Sequence, residues 1–162
     1  MISKEWLCDA MIRDCRILVH LHYKTPVGLQ EWRPTEGQRS ILELFRYISV
    51  SPISYLRSYL EPAAGWREKY QAVSQALSFD DVPNRLIATA EEIEAFFRET
   101  SDETLATHRV KTPAGEELPF AQAILNGPVK WLPAYKMQVF LYLKQNGVNL
   151  STPNLWRGVD PA

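Results

Sequence analysis

The chain has 162 residues, 46% hydrophobic and 23% charged, with a formal net charge of −1. Such a composition predicts one soluble domain, residues 1–162, able to build a core without disulfides. The near-neutral charge argues against a nucleic-acid or anionic-membrane partner, since either needs a basic excess. No apolar run approaches the ~18 residues of a membrane span. The opening residues MISKEWLCDAMIRD carry charges throughout instead of an apolar signal core, so a cytoplasmic location is expected.

Residues 2–23 read as a first helix. Cys8, Met11, Cys15 and Leu18 fill the centre of its apolar arc, and Trp6, Ala10, Ile17 and Leu21 line one edge. At about 100° per residue, two polar groups fall inside that arc, Asp14 and His22. A carboxylate there needs a partner or a raised pKa. A structural ion pair is the simpler reading, and a role in a ligand pocket is the sharper one. For His22, near the helix end, solvent is expected to be close. Cys8 and Cys15 lie seven residues apart, so helical rise separates them by about 10 Å, beyond disulfide reach. They are expected to be free, buried thiols.

Pro26, Gly28 and Pro34 punctuate a connection over 24–35, in which Trp32 is placed to lie across the end of a bundle. A second helix is expected over 38–61, starting near Thr35 or Gly37. Ile41, Leu44, Phe45, Ile48, Tyr55, Leu56 and Tyr59 form its stripe, Tyr47 lies at the edge, and Glu43 projects to the surface. Pro52 should kink it. A shorter helix follows from Trp66 to Leu77. A third long helix runs over 83–100, entered through Asp80, Asp81 and Pro83. Residues 101–118 break the helical pattern and read as a small hairpin or ordered loop with a turn at Pro113–Glu116.

The fourth helix is expected over 119–146, interrupted at Gly127-Pro128 and disturbed again at Pro133. Its second part is VKWLPAYKMQVFLYLKQNG, Val129 to Gly147. Trp131, Tyr135, Val139 and Tyr142 share one face there, and Lys130, Lys136, Lys144 and Gln145 lie mostly off it. Trp131, in the middle of that face, is expected to be largely buried. The tail from Ser151 has no periodicity, although Leu155 and Trp156 can pack back. The sum is an all-α, up-and-down four-helix bundle with an extra short helix and an irregular segment before the last helix.

Most chemical signatures are missing. There is no CxxC, no phosphate-binding glycine loop, no GxSxG and no HExxH. His20 and His22, two apart on a helix, cannot chelate one metal between them.

Two stretches nevertheless carry a family resemblance that covers most of the chain. SILELFRYISVSP, Ser40 to Pro52, is similar to the second helix of the DinB-like four-helix bundles, a leucine-rich turn followed by a metal-binding histidine. Trp131 to Gly147, with Lys136-Met137-Gln138 and the terminal glycine, is similar to the last helix of that family, where two histidines stand four apart. The resemblance implies a divalent metal held by three histidines, and in some members metal-assisted transfer or isomerisation with low-molecular-weight thiols. In this sequence the three histidine positions fall on Tyr47, Trp131 and Tyr135. Indole offers no lone pair to a metal, and a neutral phenol with a pKa of about 10 is a poor ligand. No metal and no cofactor is therefore expected. The leading expectation is a metal-free bundle that binds a small molecule or a protein partner through an interior lined by Tyr47, Trp131 and Tyr135, with Asp14, Glu43 or Lys136 nearby. The alternative is a transferase or isomerase acting on small-molecule or thiol substrates through other residues. Mutual packing of helix faces makes a homodimer a reasonable assembly.

Overall fold

A computed structural model gives the fold and describes residues 3–161. Ile2, at the expected start of the first helix, lies outside the described residues. The protein is mainly helical, with one two-stranded sheet.

Helix α1 is Lys4–Tyr23, begun by Ser3, whose hydroxyl accepts from the Trp6 amide. Met11, Cys15, Leu18 and Leu21 enter the core as expected. Trp6 and Ala10 do not: both are exposed, Trp6 by 67%, because no element covers that side of the first turns.

Helix α2 is Ile41–Ile48 and α3 is Ser51–Leu60. The start is later than the periodicity predicts, for a local reason. Ser40 and Glu43 close a capping box, Ser40 N–H to Glu43 Oε2 at 2.8 Å and Glu43 N–H to Ser40 Oγ at 3.2 Å. The preceding loop also supplies acceptors, Trp32 O to the Ile41 amide and Gln30 O to the Leu42 amide. The expected kink is a full break at Ser49–Val50, which puts Pro52 in the first turn of α3, where a missing N–H costs nothing. The break frees the Ser49 carbonyl, which accepts a hydrogen bond from the fully buried Thr89 hydroxyl.

Helix α4, Trp66–Ala76, follows the tight turn at Gly65 (φ +68°). Helix α5 is Val82–Glu99. A short helix, α6, Asp102–Thr107, stands where the sequence suggests none; Ser101 caps it, its hydroxyl accepting from the Thr104 amide. The hairpin is present as β1, Arg109–Lys111, and β2, Glu117–Pro119, antiparallel with Val110 opposite Leu118. Helix α7, Phe120–Asn126, stops at Gly127, and α8, Pro128–Gln145, runs on through Pro133. The tail forms a further short helix, α9, Thr152–Trp156, which buries Leu155 and leaves Trp156 half exposed.

The four long rods α1, α2–α3, α5 and α7–α8 enclose one hydrophobic core. Their directions correct the expected simple alternation. Lys4 Nζ reaches Thr100 O at one end of α1 and His22 Nε2 meets Phe79 O at the other, so α1 and α5 are antiparallel. Tyr47 packs on Tyr135 and Tyr59 on Phe120, so α2–α3 and α7–α8 are antiparallel. Ser49 meets Thr89, and farther along Leu60 lies with Phe96 and Glu99, so α3 and α5 are parallel. This is up-down-down-up. Helix α4 makes it possible by carrying the chain back until Leu77 O accepts from Arg46 Nε at 2.7 Å.

Candidate functional site

Tyr47, Trp131 and Tyr135 come together. The centroid of Tyr47 lies 5.1 Å from that of Tyr135 and 6.1 Å from that of Trp131, and Trp131 lies 5.8 Å from Tyr135. The local cause is helical spacing on α8, four residues apart, facing the last turn of α2. Tyr55 extends the group, 5.6 Å from Trp131 and 5.9 Å from Tyr59. The result is a ridge of five rings along the seam between α2–α3 and α8. Separations of about 4.5–7 Å in tilted or edge-on poses are the favourable arrangement for ring quadrupoles.

This ridge is not deep core. Tyr47, Tyr55, Trp131 and Tyr135 are each only partly buried; Tyr59 alone is buried. The expectation of a largely buried indole is thereby corrected. The fully buried stripe of α8 runs through Leu132, Lys136, Val139 and Leu143, rotated by about one residue. Two guanidinium groups lie on the ridge, Arg39 at 4.3 Å from the Tyr47 centroid and 5.9 Å from that of Tyr135, and Arg67 at 5.3 Å from Tyr55. Beyond Trp131 opens a cleft of about 240 Å³ between α3, the hairpin turn and the α7–α8 junction, lined by Tyr55, Tyr59, Trp131, Leu118, Thr112 and Glu116 among others.

Asp14 takes its simpler role. Its Oδ1 accepts from Lys136 Nζ at 2.6 Å across the α1–α8 interface, with side chains 12% and 2% exposed. The ammonium also lies 4.7 Å from the Trp156 ring centroid. Lys136, expected mostly off the apolar face, is thus buried, because α1 covers α8 on the side away from the ridge. No hydrogen bond or ring contact among the described residues joins Asp14 to the aromatic group. Glu43 is exposed, as expected.

The residues do not fit the metal that the resemblance implies. Burial pushes the Tyr47 hydroxyl well above its ordinary range, and the neighbouring Tyr135 adds to this, so a tyrosinate ligand is disfavoured. Among the described residues no three His, Cys, Asp or Glu side chains converge on a point that could hold an ion. The thiols are free and buried. Burial raises Cys8 to about 11 and Cys15 to about 12, which makes them inert at neutral pH.

His22 is the other departure. It is buried between Phe79, at 4.2 Å between centroids, and Phe45, at 5.3 Å. Its Nε2 lies 2.9 Å from the Phe79 carbonyl oxygen, which makes Nε2–H the donor, and Nδ1 is buried without a partner. The sequence expected solvent here; the segment before α5 supplies Phe79 as a cover that helical periodicity could not announce.

The sequence reads 101–118 as a small hairpin or ordered loop with a turn at Pro113–Glu116, and nothing in that pattern marks Thr112 or Glu116 as cleft-lining. Tyr55 and Tyr59 were legible as apolar positions, but their joining Tyr47 in one ridge depends on the α2–α3 break. No helix among the described residues is long and apolar enough to cross a membrane. Neither a protein-family model nor a curated protein matches the chain.

Proposed function

We propose that this chain is a metal-free binding module of DinB-like type that takes a small molecule in the cleft beside the aromatic ridge. One observation carries the reading. The three positions that the resemblance assigns to metal ligands hold rings packed on one another at 5.1–6.1 Å, and their ridge runs through Trp131 and Tyr55 into a cleft of about 240 Å³. Apolar walls with a few polar groups suit a small organic ligand. Ligand pockets usually span roughly 300–1,000 Å³, so the occupant is at the small end. A protein partner would need a face of about 800 Å², for which the cleft is too small.

The test is a fragment titration followed by two-dimensional ¹H–¹⁵N NMR, with the Trp131 indole N–H assigned through Trp131→Phe. The expected result is saturable movement of that signal with at least one small aromatic or aliphatic fragment. A library that moves other signals and never Trp131 would refute the site.

A further inference from the structure

We infer that residues 151–160 form a strap over α1 and α8 that acid loosens through His20. The strap stands apart from the cleft and rests on a different part of the fold. The first observation is how it docks. Leu155 is buried in the core, and Asn154, 1% exposed, is the polar hub beside it. Gly158, at φ +63°, brings backbone against backbone: a Cβ there would stand 3.2 Å from the Ile17 Cα. Glycine alone takes that φ without strain and keeps the approach open. The Trp156 ring lies over the Lys136 ammonium at 4.7 Å, so the strap covers the Lys136–Asp14 pair.

The second observation is a hydrogen bond that only a neutral imidazole can make. The Ser151 amide donates to Asn154 Oδ1 at 2.8 Å, which fixes the way the Asn154 amide group faces. Its Nδ2 then stands 3.1 Å from His20 Nε2, 3.2 Å from Val159 O and 3.0 Å from Asp160 Oδ1. An amide nitrogen only donates, so His20 Nε2 accepts and the ring carries its hydrogen on Nδ1. Protonation adds a hydrogen to Nε2, and donor then faces donor across 3.1 Å.

The third observation is the charge around the ring. Asp160 Oδ1 lies 3.8 Å from Nε2, but it already accepts from Asn154, and Oδ2 holds Lys24 at 2.6 Å. Lys24, one turn on in α1, repels an imidazolium. Arg16, one turn earlier, and Arg157 of the strap are cations too, and they flank Ile17 in one surface cleft. On the α8 side Lys136 is tied to Asp14 and Lys144 to the Leu150 carbonyl. Burial lowers the His20 pKa, with Asp160 opposing and Lys24 adding. The docked strap therefore holds fewer protons than the released one, and docking weakens as pH falls below about 6.5. Release uncovers Lys136 and the socket of Leu155.

The experiment is amide hydrogen exchange by NMR, corrected for the intrinsic rate at each pH. The strap is read at Arg157, whose N–H is bonded to Pro153 O at 3.0 Å, and the core at Met11 to Leu18 of α1. Lowering the pH from about 7.5 to about 5 should raise opening at Arg157 at least about three-fold relative to the α1 interior; one proton allows at most about tenfold per pH unit. His20→Gln keeps an acceptor for Asn154 and cannot charge, so its strap should not respond. His22→Gln should leave the response in place. Gly158→Ala should loosen the strap at every pH, and the His20 pKa, followed by its ring signals, should then rise toward the ordinary value. An Arg157 response no larger than that of the α1 interior, or one that survives His20→Gln, overturns the inference. So does a His20 pKa that stays where it was when the strap is loosened.

Discussion

A single buried contact, Lys136 on Asp14, shows how much depends on one partner. The pair is almost dry, so its mutual attraction is set against the desolvation of two charges, and the net contribution to stability is small. Removing one partner is another matter. Asp14→Ala strands a buried ammonium and should cost about 3–5 kcal/mol, whereas Asp14→Leu with Lys136→Met should cost far less or nothing. Urea denaturation of Asp14→Leu, Lys136→Met and the double variant measures the coupling; a double-variant loss equal to the sum of the two single losses would show that the pair is not coupled. His22 predicts a pH dependence. Burial lowers its pKa below the ordinary value, the Phe79 carbonyl and the nearby Asp80 opposing this only in part. The folded state therefore holds fewer protons than the unfolded one, and stability falls as pH drops below about 6.5. The loss continues until pH passes the folded pKa. His20 is lowered as well, against the pull of Asp160, and adds in the same direction. Carboxylates contribute only below about pH 5, so the window between 5 and 6.5 reports the histidines. His22→Gln keeps a donor for Phe79 and cannot charge. Its denaturation midpoint should vary less across that window than that of the parent, and an unchanged slope would refute the assignment.

At the scale of elements, two junctions fix the site. Gly127 lets α7 end and α8 begin at a new angle, which aims Trp131 at the cleft. A Cβ there would stand 2.7 Å from the Ala123 carbonyl oxygen and 3.3 Å from the Tyr59 hydroxyl. Backbone cannot yield as a side chain does, so Gly127→Ala should cost about 1–3 kcal/mol, the range for overpacking. Thermal denaturation together with the Trp131 indole signal would show both the loss and a shift of the ring; a variant as stable as the parent would mean that the junction relaxes. The second junction, at Ser49–Val50, sets how α2 and α3 present Tyr47 and Tyr55 to the same helix. Sequence periodicity found the long helices because their apolar stripes are continuous, and prolines marked both junctions. It missed the capping box at Ser40 as the true start of α2, since caps override apolar phase by a turn. It missed α6 because six residues carry too little periodicity. In the candidate site, Trp131 and Tyr135 were legible as one face through spacing and Tyr47 was joined to them only by the resemblance, while Thr112 and Glu116 were not legible, because a turn's position over α3 is a long-range fact. Lys136 was misplaced because one helix faces two neighbours, α1 and α2–α3, and a single stripe describes only one of them.

For the whole molecule, the rings at the positions that the resemblance assigns to histidines give a prediction about metal. Protein purified without chelator should contain no stoichiometric zinc or nickel, and adding either should leave the Tm unchanged, since stabilisation requires preferential binding to the folded state. Tyr47→His, Trp131→His and Tyr135→His together should bind zinc more tightly than the parent, provided the variant folds by circular dichroism. About one equivalent of tightly held metal in the parent, lost on substituting these positions, would overturn the metal-free reading. The up-down-down-up path has a consequence for how the protein comes into being. Asp14 lies 122 residues before the lysine that neutralises it. At roughly 5–20 residues per second, a ribosome needs about 6–24 s to reach Lys136 after making Asp14. Throughout that interval the first helix carries a carboxylate on its apolar face with no ammonium to receive it, so it cannot bury that face early on the nascent helices. Its neutralisation by Lys136 ties closure of the core between α1 and α8 to near-completion of synthesis.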